Sequence, residues 1–158
     1  MKLVHGGQCI GKTEEGKALF VWGGLPGELV DLRVTKKKSS YVEGIVTEIH
    51  EASLDRIEPE EPLSYLSTSP WQIMTFEAEN LAKQAILAEA FEREHVDGIE
   101  WSEFYSGNEQ YNYRNKNEFG FWGSEDGLHL AHYVRGTSGK QMVTESKCRN
   151  TLRLIDNS

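Results

Sequence analysis

A dense group of cations lies near aromatic side chains in the first third of the sequence. Exposed cations neutralise phosphates and flat rings stack on unpaired bases, so this combination is typical of nucleic-acid binding. Phe20 and Trp22 lie on a neighbouring apolar run. The three consecutive lysines at positions 36–38 could equally form a hairpin tip that is exposed to solvent and binds nothing, and that alternative stays open. The candidate binding residues of this region are Arg33, Lys36, Lys37, Lys38, Tyr41 and Arg56.

A second group of the same residue types occurs in the last third of the sequence. Tyr113, Arg114 and Lys116 lie on a segment whose aromatic residues alternate with polar ones. Alternation of period two predicts a strand with one polar face. These three residues are further candidates for nucleic-acid contact, with the same solvated alternative.

The sequence lacks the common patterns for nucleotide, metal or nucleophilic chemistry. It contains no Gly-rich strand-to-helix loop and no Cys-x-x-Cys or His-x-x-x-His spacing. His129 and His132 are three positions apart on a predicted strand, which places them on opposite faces. Cys148 has cationic neighbours but no candidate base, so a small apolar role is favoured. We therefore expect no catalytic residue and no metal ligand.

The net charge of −8 is unevenly distributed. Residues 1–58 hold 8 Lys and Arg against 9 Asp and Glu, residues 59–110 hold 2 against 11, and residues 111–158 hold 7 against 5. The acidity is thus confined to the middle, and both ends are free to carry basic faces. With two cysteines, no N-terminal apolar signal and no long apolar run, the sequence predicts a cytoplasmic protein without membrane contact.

The elements that must position these residues are mainly strands. Residues 1–58 contain short apolar runs separated by Gly-rich turns, among them Ala18 to Trp22, Val30 to Val34 and Tyr41 to Ile49. This density of strands predicts a small OB-like antiparallel β-barrel. Residues 59–75 hold three of the four prolines and read as a connector, with helix starts at Ser69-Pro70 and Thr75.

The third predicted region, residues 76–158, combines one helix with an antiparallel sheet. Residues 76–95 are rich in Ala, Leu, Glu and Gln and predict a helix with apolar side chains on two sides. Four strands follow, with a hairpin at Ser124 to Gly127. The whole chain is therefore expected to be mainly β with one long helix, of the α+β class.

Ordered motifs in this sequence resemble known proteins over nearly its full length. Gly6 to Gly11, Gly16 to Val21, Leu25 to Glu28, Arg33 to Lys36 and Ser53 to Pro59 together resemble a TRAM domain, a small RNA-binding barrel. The stretches Tyr113 to Phe119 and Gln72 to Ala78 resemble the central domain of the uracil-5 (5-methyluridine) RNA methyltransferases. The resemblance implies recognition of ribosomal or transfer RNA.

Two departures from this family limit what the resemblance implies. Many members hold an iron–sulfur cluster through four cysteines, but Leu66 to Ser69 occupies the place of a Cys-x-x-Cys, and Cys148 alone lies near the fourth position. We expect no cluster, since one thiolate does not replace four. The family's S-adenosylmethionine domain, nucleophile and base are expected outside this chain, so no cofactor is expected within it.

Three functions are compatible with these observations. The favoured one is the RNA-recognition portion of a uracil-5 RNA methyltransferase, which would work with a methyltransferase domain or self-associate through the 76–95 helix. A stand-alone TRAM RNA-binding or chaperone protein is the first alternative. A protein-interaction adaptor that uses the acidic middle segment is the second.

Overall fold

The computed structural model describes residues 1–113, 116, 118, 120–125, 127–136 and 142–143. These residues form two sheets and one long helix, so the predicted α+β content is confirmed. Within them no helix has both the length and the apolar character needed to cross a bilayer. The strands are β1 (Lys2–Leu3), β2 (Cys9–Lys12), β3 (Ala18–Trp22), β4 (Leu29–Lys37), β5 (Tyr41–Glu51), β6 (Gly120–Ser124), β7 (Gly127–Tyr133) and β8 (Met142–Val143). The helices are α1 (Tyr65–Thr68) and α2 (Phe76–Arg93), with a 3₁₀ turn at Pro70–Ile73.

The first sheet has the strand order β1-β2-β3-β5-β4. β3 and β5 are parallel neighbours, whereas the other pairs are antiparallel. The predicted OB-like antiparallel barrel is therefore not confirmed, because one central pairing is parallel and the sheet stays open between β1 and β4. The physical reason is the hairpin of β4 and β5, which returns β5 into the position beside β3. Period-two alternation predicts strands but does not specify their neighbours.

The inner face of this sheet carries a small apolar core. Cys9, Val21 and Val42 are buried on it, and Ile45 is buried on the opposite face. The Cys9 thiol donates a hydrogen bond to the carbonyl of Gly24 at 3.2 Å. Burial raises the pKa of this thiol to about 11, so Cys9 is protonated and acts as a small apolar residue.

The segment 59–75, predicted as a connector, contains α1 and the 3₁₀ turn and packs onto the first sheet. Its residues Ile73 and Met74 form a buried cluster with Leu25 from the loop after β3. Backbone bonds tie the two segments, since Ile57 N donates to Ile73 O and Thr75 N donates to Asp55 O, both at 3.0 Å. The connector is thus part of the packed structure.

Helix α2 begins where the sequence predicts. The Thr75 hydroxyl accepts a hydrogen bond from the backbone N–H of Ala78 at 3.3 Å, and Glu77 and Glu79 lie in the first turn, where the helix dipole favours acidic side chains. The helix is poorly covered, because its one buried residue is the acidic Glu79. Leu81 and Leu87 are exposed. The predicted helix with two uncovered apolar sides is present.

The second sheet, described for β6, β7 and β8, is antiparallel. Ser124 pairs with Gly127, so the predicted hairpin is confirmed. Four strands were predicted, but three are described. The first predicted strand, Ile99 to Tyr105, has no regular secondary structure, and the second, predicted from Tyr111, is described as a strand from Gly120. Residues 111–113 are not in a strand, and Asn112 has a positive φ of 60° that interrupts extended backbone.

Candidate nucleic-acid interface

One face of the first sheet brings aromatic rings and cations together; we call it the outer face. Trp22, Ile45 and Arg33 are directly opposite one another on β3, β5 and β4. Residues directly opposite on adjacent strands point to the same side of a sheet. Two positions along, Phe20, Glu43 and Lys36 form the next row, and Tyr41 follows on β5. The sheet therefore assembles side chains that lie far apart in sequence.

The aromatic and cationic side chains of this face contact each other. The rings of Phe20 and Tyr41 meet edge to face, with centroids 5.9 Å apart. The Nζ of Lys36 lies 5.3 Å from the Tyr41 ring centroid and 3.5 Å from a Glu43 carboxylate oxygen. Interaction with Tyr41 and then with Glu43 raises the pKa of Lys36, so its ammonium is charged at neutral pH. Lys36 is a fixed cation beside a half-buried ring.

The other two lysines of the tip extend into solvent. Lys38 N donates to Tyr41 O at 2.9 Å and so closes the turn between β4 and β5, while its side chain is exposed. Lys37 is also exposed. Within the described part of the chain neither has an acidic partner within 4 Å, unlike Lys36. Of the three lysines at the tip, Lys37 and Lys38 are therefore more available to an external anion than Lys36.

The outer face extends to a residue that the sequence analysis did not single out. The Arg135 guanidinium lies 4.2 Å from the ring centroid of Trp22, and Arg33 Nη1 donates to the carbonyl of Gly136 at 3.3 Å. Both residues of this turn follow β7, which belongs to the second sheet. No local pattern could have predicted Arg135, because its partners lie in distant segments. The one sequence feature that points to Arg135 is its position next to Gly136 in a turn.

Arg56, a predicted RNA contact, is engaged inside the protein. Its Nη2 donates to Glu28 Oε2 at 2.7 Å and to the carbonyl of Gly23 at 2.8 Å, and its Nε donates to Glu28 Oε1. The Glu28 side chain is 0% exposed and that of Arg56 14% exposed. RNA contact by Arg56 stays a prediction, and we do not include it in the outer face.

The second predicted cluster is not brought to the outer face by any described contact. Tyr113 is exposed and lines a groove of about 720 Å³ beside α2, together with Trp71 and Lys83. Lys116 pairs with Glu118 at 3.0 Å, and both are exposed. Arg114 lies outside the described residues. The two predicted clusters are therefore separate in the described structure.

The place that the family resemblance assigns to cluster ligands is occupied by hydroxyl groups. Ser67 Oγ donates to the carbonyl of Tyr133 at 2.6 Å, and Thr68 Oγ1 donates to the carbonyl of Ser64 at 3.1 Å. Neither group is a thiolate, and Cys148 lies outside the described residues. These residues do not fit a four-thiolate iron–sulfur cluster.

Comparison with known proteins gives two findings. The TRAM domain family matches residues 2–47, from the start of β1 to a point within β5. Proteins named "uncharacterized RNA methyltransferase" are similar over most of the chain. The one from Clostridium tetani is 31% identical over 127 residues, or 78% of this chain and 28% of the relative. The one from Chlorobaculum tepidum is 34% identical over 71% of this chain and 24% of the relative. The one from Thermotoga maritima is 30% identical over 80% of this chain and 29% of the relative.

The matched region is less than a third of the length of each of these relatives. Their similarity nevertheless extends well beyond the 2–47 match, since it covers 71% or more of this chain. The chain carries an N-terminal TRAM domain and is related, over more than two thirds of its own length, to proteins named RNA methyltransferases.

Proposed function

We propose that this chain binds RNA and serves as the RNA-recognition part of a uracil-5 RNA methyltransferase. The observation that carries the proposal is the outer face, where Phe20 and Tyr41 lie beside Lys36 and Arg33. The TRAM match and the names of the relatives support an RNA ligand.

The outer face and the adjoining β4–β5 tip together offer the two interactions that single-stranded RNA requires. Lys37 and Lys38 at the tip and Arg33 in the strand neutralise backbone phosphates, which contributes affinity without sequence preference. Phe20 and Tyr41 are half-buried, so part of each side chain is accessible for stacking on unpaired bases. The acidic segment 59–110 repels the same backbone, so RNA follows the sheet and avoids α2.

The proposed division of work places recognition here and methyl transfer in a separate catalytic domain. The role of these residues is to hold folded ribosomal or transfer RNA so that one uridine reaches that domain. S-adenosylmethionine belongs to the catalytic domain in this proposal. We also propose that no iron–sulfur cluster binds here, and anaerobically purified protein should contain no stoichiometric iron.

The experiment compares two matched double variants by RNA affinity at several salt concentrations. If Arg33, Lys36, Lys37 and Lys38 each neutralise one phosphate, log K falls with log salt at a slope of about −3, from roughly −0.7 per contact on single strands. Lys37→Ala/Lys38→Ala should flatten this slope by about 1.4. The triple variant that also carries Lys36→Ala should flatten it by about 2 in total. The control Lys2→Ala/Arg93→Ala removes two cations beside α2, since Lys2 pairs with Glu89 of α2 and Arg93 lies in its last turn, and should leave the slope unchanged.

The outcomes separate the alternatives. Equal slopes for all variants would show that the tip is only solvated. Absence of RNA binding at low salt, with capture of a protein partner through the acidic segment, would favour the adaptor function. RNA binding without a catalytic partner in the cell would favour a stand-alone RNA-binding protein.

A further inference from the structure

The turn after β7 places an arginine on the outer face from outside the first sheet. Arg135 N donates to Ser67 Oγ at 3.1 Å, and Arg135 Nε donates to the carbonyl of Leu66 at 2.8 Å. Ser67 Oγ in turn donates to the carbonyl of Tyr133 at 2.6 Å. Three hydrogen bonds therefore fix the backbone and the inner nitrogen of this side chain against α1.

The ring of Trp22 supports the guanidinium from below. At 4.2 Å from the ring centroid, the guanidinium carbon lies within the range of a cation–π contact. The Nε–H donates to the Leu66 carbonyl. The guanidinium is therefore positioned by two contacts, this hydrogen bond and the Trp22 ring. Among the residues that the structure describes, the two terminal nitrogens have no protein acceptor. The N–H groups on the two terminal nitrogens of this exposed side chain are thus available to an external acceptor.

A second arginine flanks the same turn. Arg33 Nη1 donates to the carbonyl of Gly136 at 3.3 Å, and Gly136 packs so tightly on Ile45 that a Cβ at this position would overlap the Ile45 side chain. Arg33 and Trp22 lie in one row, on either side of Ile45. The turn therefore crosses the outer face with one guanidinium on each side.

We propose that Arg135 binds a phosphodiester of the RNA, together with Arg33, and so extends the RNA site of the first sheet onto the second. This inference rests on the proposed function. A phosphate fits better than a base, because Arg135 already covers one face of Trp22. A guanidinium fork also matches two phosphate oxygens in bidentate geometry. RNA held in this way contacts both sheets at once.

The test measures RNA affinity against salt for wild type, Arg135→Ala, Arg135→Gln, Arg135→Lys and the control Arg93→Ala. A fifth phosphate contact predicts a wild-type slope of about −3.5 at roughly −0.7 per contact. Removing the charge by Ala or Gln should flatten the slope by about 0.7. Lys should keep the slope but bind more weakly, because it lacks the fork. Arg93→Ala should match wild type.

Each outcome decides the inference. The Gln variant retains a flat polar side chain over Trp22, so it serves where the Ala variant unfolds, as judged by circular dichroism. If Lys37→Ala/Lys38→Ala flattens the slope while every Arg135 variant matches Arg93→Ala, the role of Arg135 is wrong and the proposed function stands. Weaker binding by Gln at an unchanged slope would indicate a base contact and overturn the phosphate assignment. If wild type binds no RNA, both proposals fail.

Discussion

The first sheet buries several apolar side chains, whereas helix α2 buries none. The sheet and the loop after β3 bury Cys9, Val21, Leu25 and Val42, and the sheet shows its cations to solvent. Helix α2 has eighteen residues, and its one buried side chain is that of Glu79. Leu81, Leu87 and Phe91 on this helix are 59%, 44% and 37% exposed.

The two regions also differ in net charge. Residues 1–58 are nearly neutral, with 8 basic against 9 acidic residues, whereas residues 59–110 hold 2 against 11. A region with its own core and exposed cations suits an anionic ligand such as RNA. A region with exposed apolar side chains among acidic ones suits a protein surface and repels RNA. We therefore expect the two regions to bind different partners.

The largest expected effect is on the stability of the first region. Glu28 accepts hydrogen bonds from Leu25 N at 2.8 Å and Ser53 N at 3.1 Å in addition to those from Arg56. Glu28→Gln leaves the Arg56 charge uncompensated, and breaking a buried ion pair costs about 3–5 kcal/mol. Urea unfolding should show this loss, whereas Glu15→Gln, which removes the exposed pair with Lys17, should leave stability nearly unchanged. Equal losses would show that the Glu28–Arg56 pair has no special role.

The same residue predicts a pH dependence. Burial alone would raise the pKa of Glu28, but hydrogen bonds from Arg56, Leu25 and Ser53 outweigh it and hold the pKa below its ordinary value of 4.5. A carboxyl with a lowered folded-state pKa contributes stability above its unfolded pKa and loses it as pH falls through the folded pKa. Wild type should therefore lose more stability below about pH 4.5 than Glu28→Gln does. Parallel stability curves for the two proteins would contradict this.

A smaller loss is expected where the second sheet meets the first. Gly136 and Gly16 have similar positive φ values of 72° and 79°, but only Gly136 has neighbours within 4 Å of an added Cβ. Each Ala substitution carries a left-handed backbone cost of roughly 1–2 kcal/mol. Gly136→Ala should lose about 1–3 kcal/mol more, because its Cβ overlaps Ile45. Equal unfolding free energies for the two variants would show that the turn does not pack on the outer face.

The smallest effect is expected for helix α2, where substitutions should change association and leave the fold intact. Exposed apolar surface tends to find a partner, so we expect wild type to self-associate at high concentration. Leu81→Gln/Leu87→Gln should shift it towards monomer in sedimentation velocity. Leu54→Gln/Leu63→Gln makes the same change at two exposed leucines outside the helix and serves as control. A wild type that stays monomeric at all concentrations would remove this interpretation.

Local signals in the sequence predict most of the elements. The apolar run Ala18 to Trp22 coincides with β3, and Thr75 caps α2 as its sequence context indicates. Ser69, also predicted as a cap, begins a 3₁₀ turn without a side-chain cap bond. Propensity and capping act within a few residues, so short-range patterns are sufficient for these elements.

The arrangement of the elements depends on long-range contacts and could not be predicted in this way. Parallel pairing of β3 with β5 follows from where the β4–β5 hairpin folds back, which alternation does not determine. Arg56 looks like an RNA contact in sequence, but its partner Glu28 lies 28 positions away. Arg135 reaches Trp22 only because β7 packs beside α1. The lysines of the β4–β5 tip could be predicted from the sequence, because they are consecutive residues.

The central claim is that RNA lies on the outer face, and photo-crosslinking tests it most directly. Ultraviolet irradiation of the protein with ribosomal and transfer RNA, followed by mass spectrometry of nucleotide-bearing peptides, maps residues in contact with bases. We predict adducts on the β3 and β5 peptides that contain Phe20 and Tyr41, and none on α2 (Phe76–Arg93). Adducts confined to α2 or to the groove lined by Trp71 and Tyr113 would contradict the assignment.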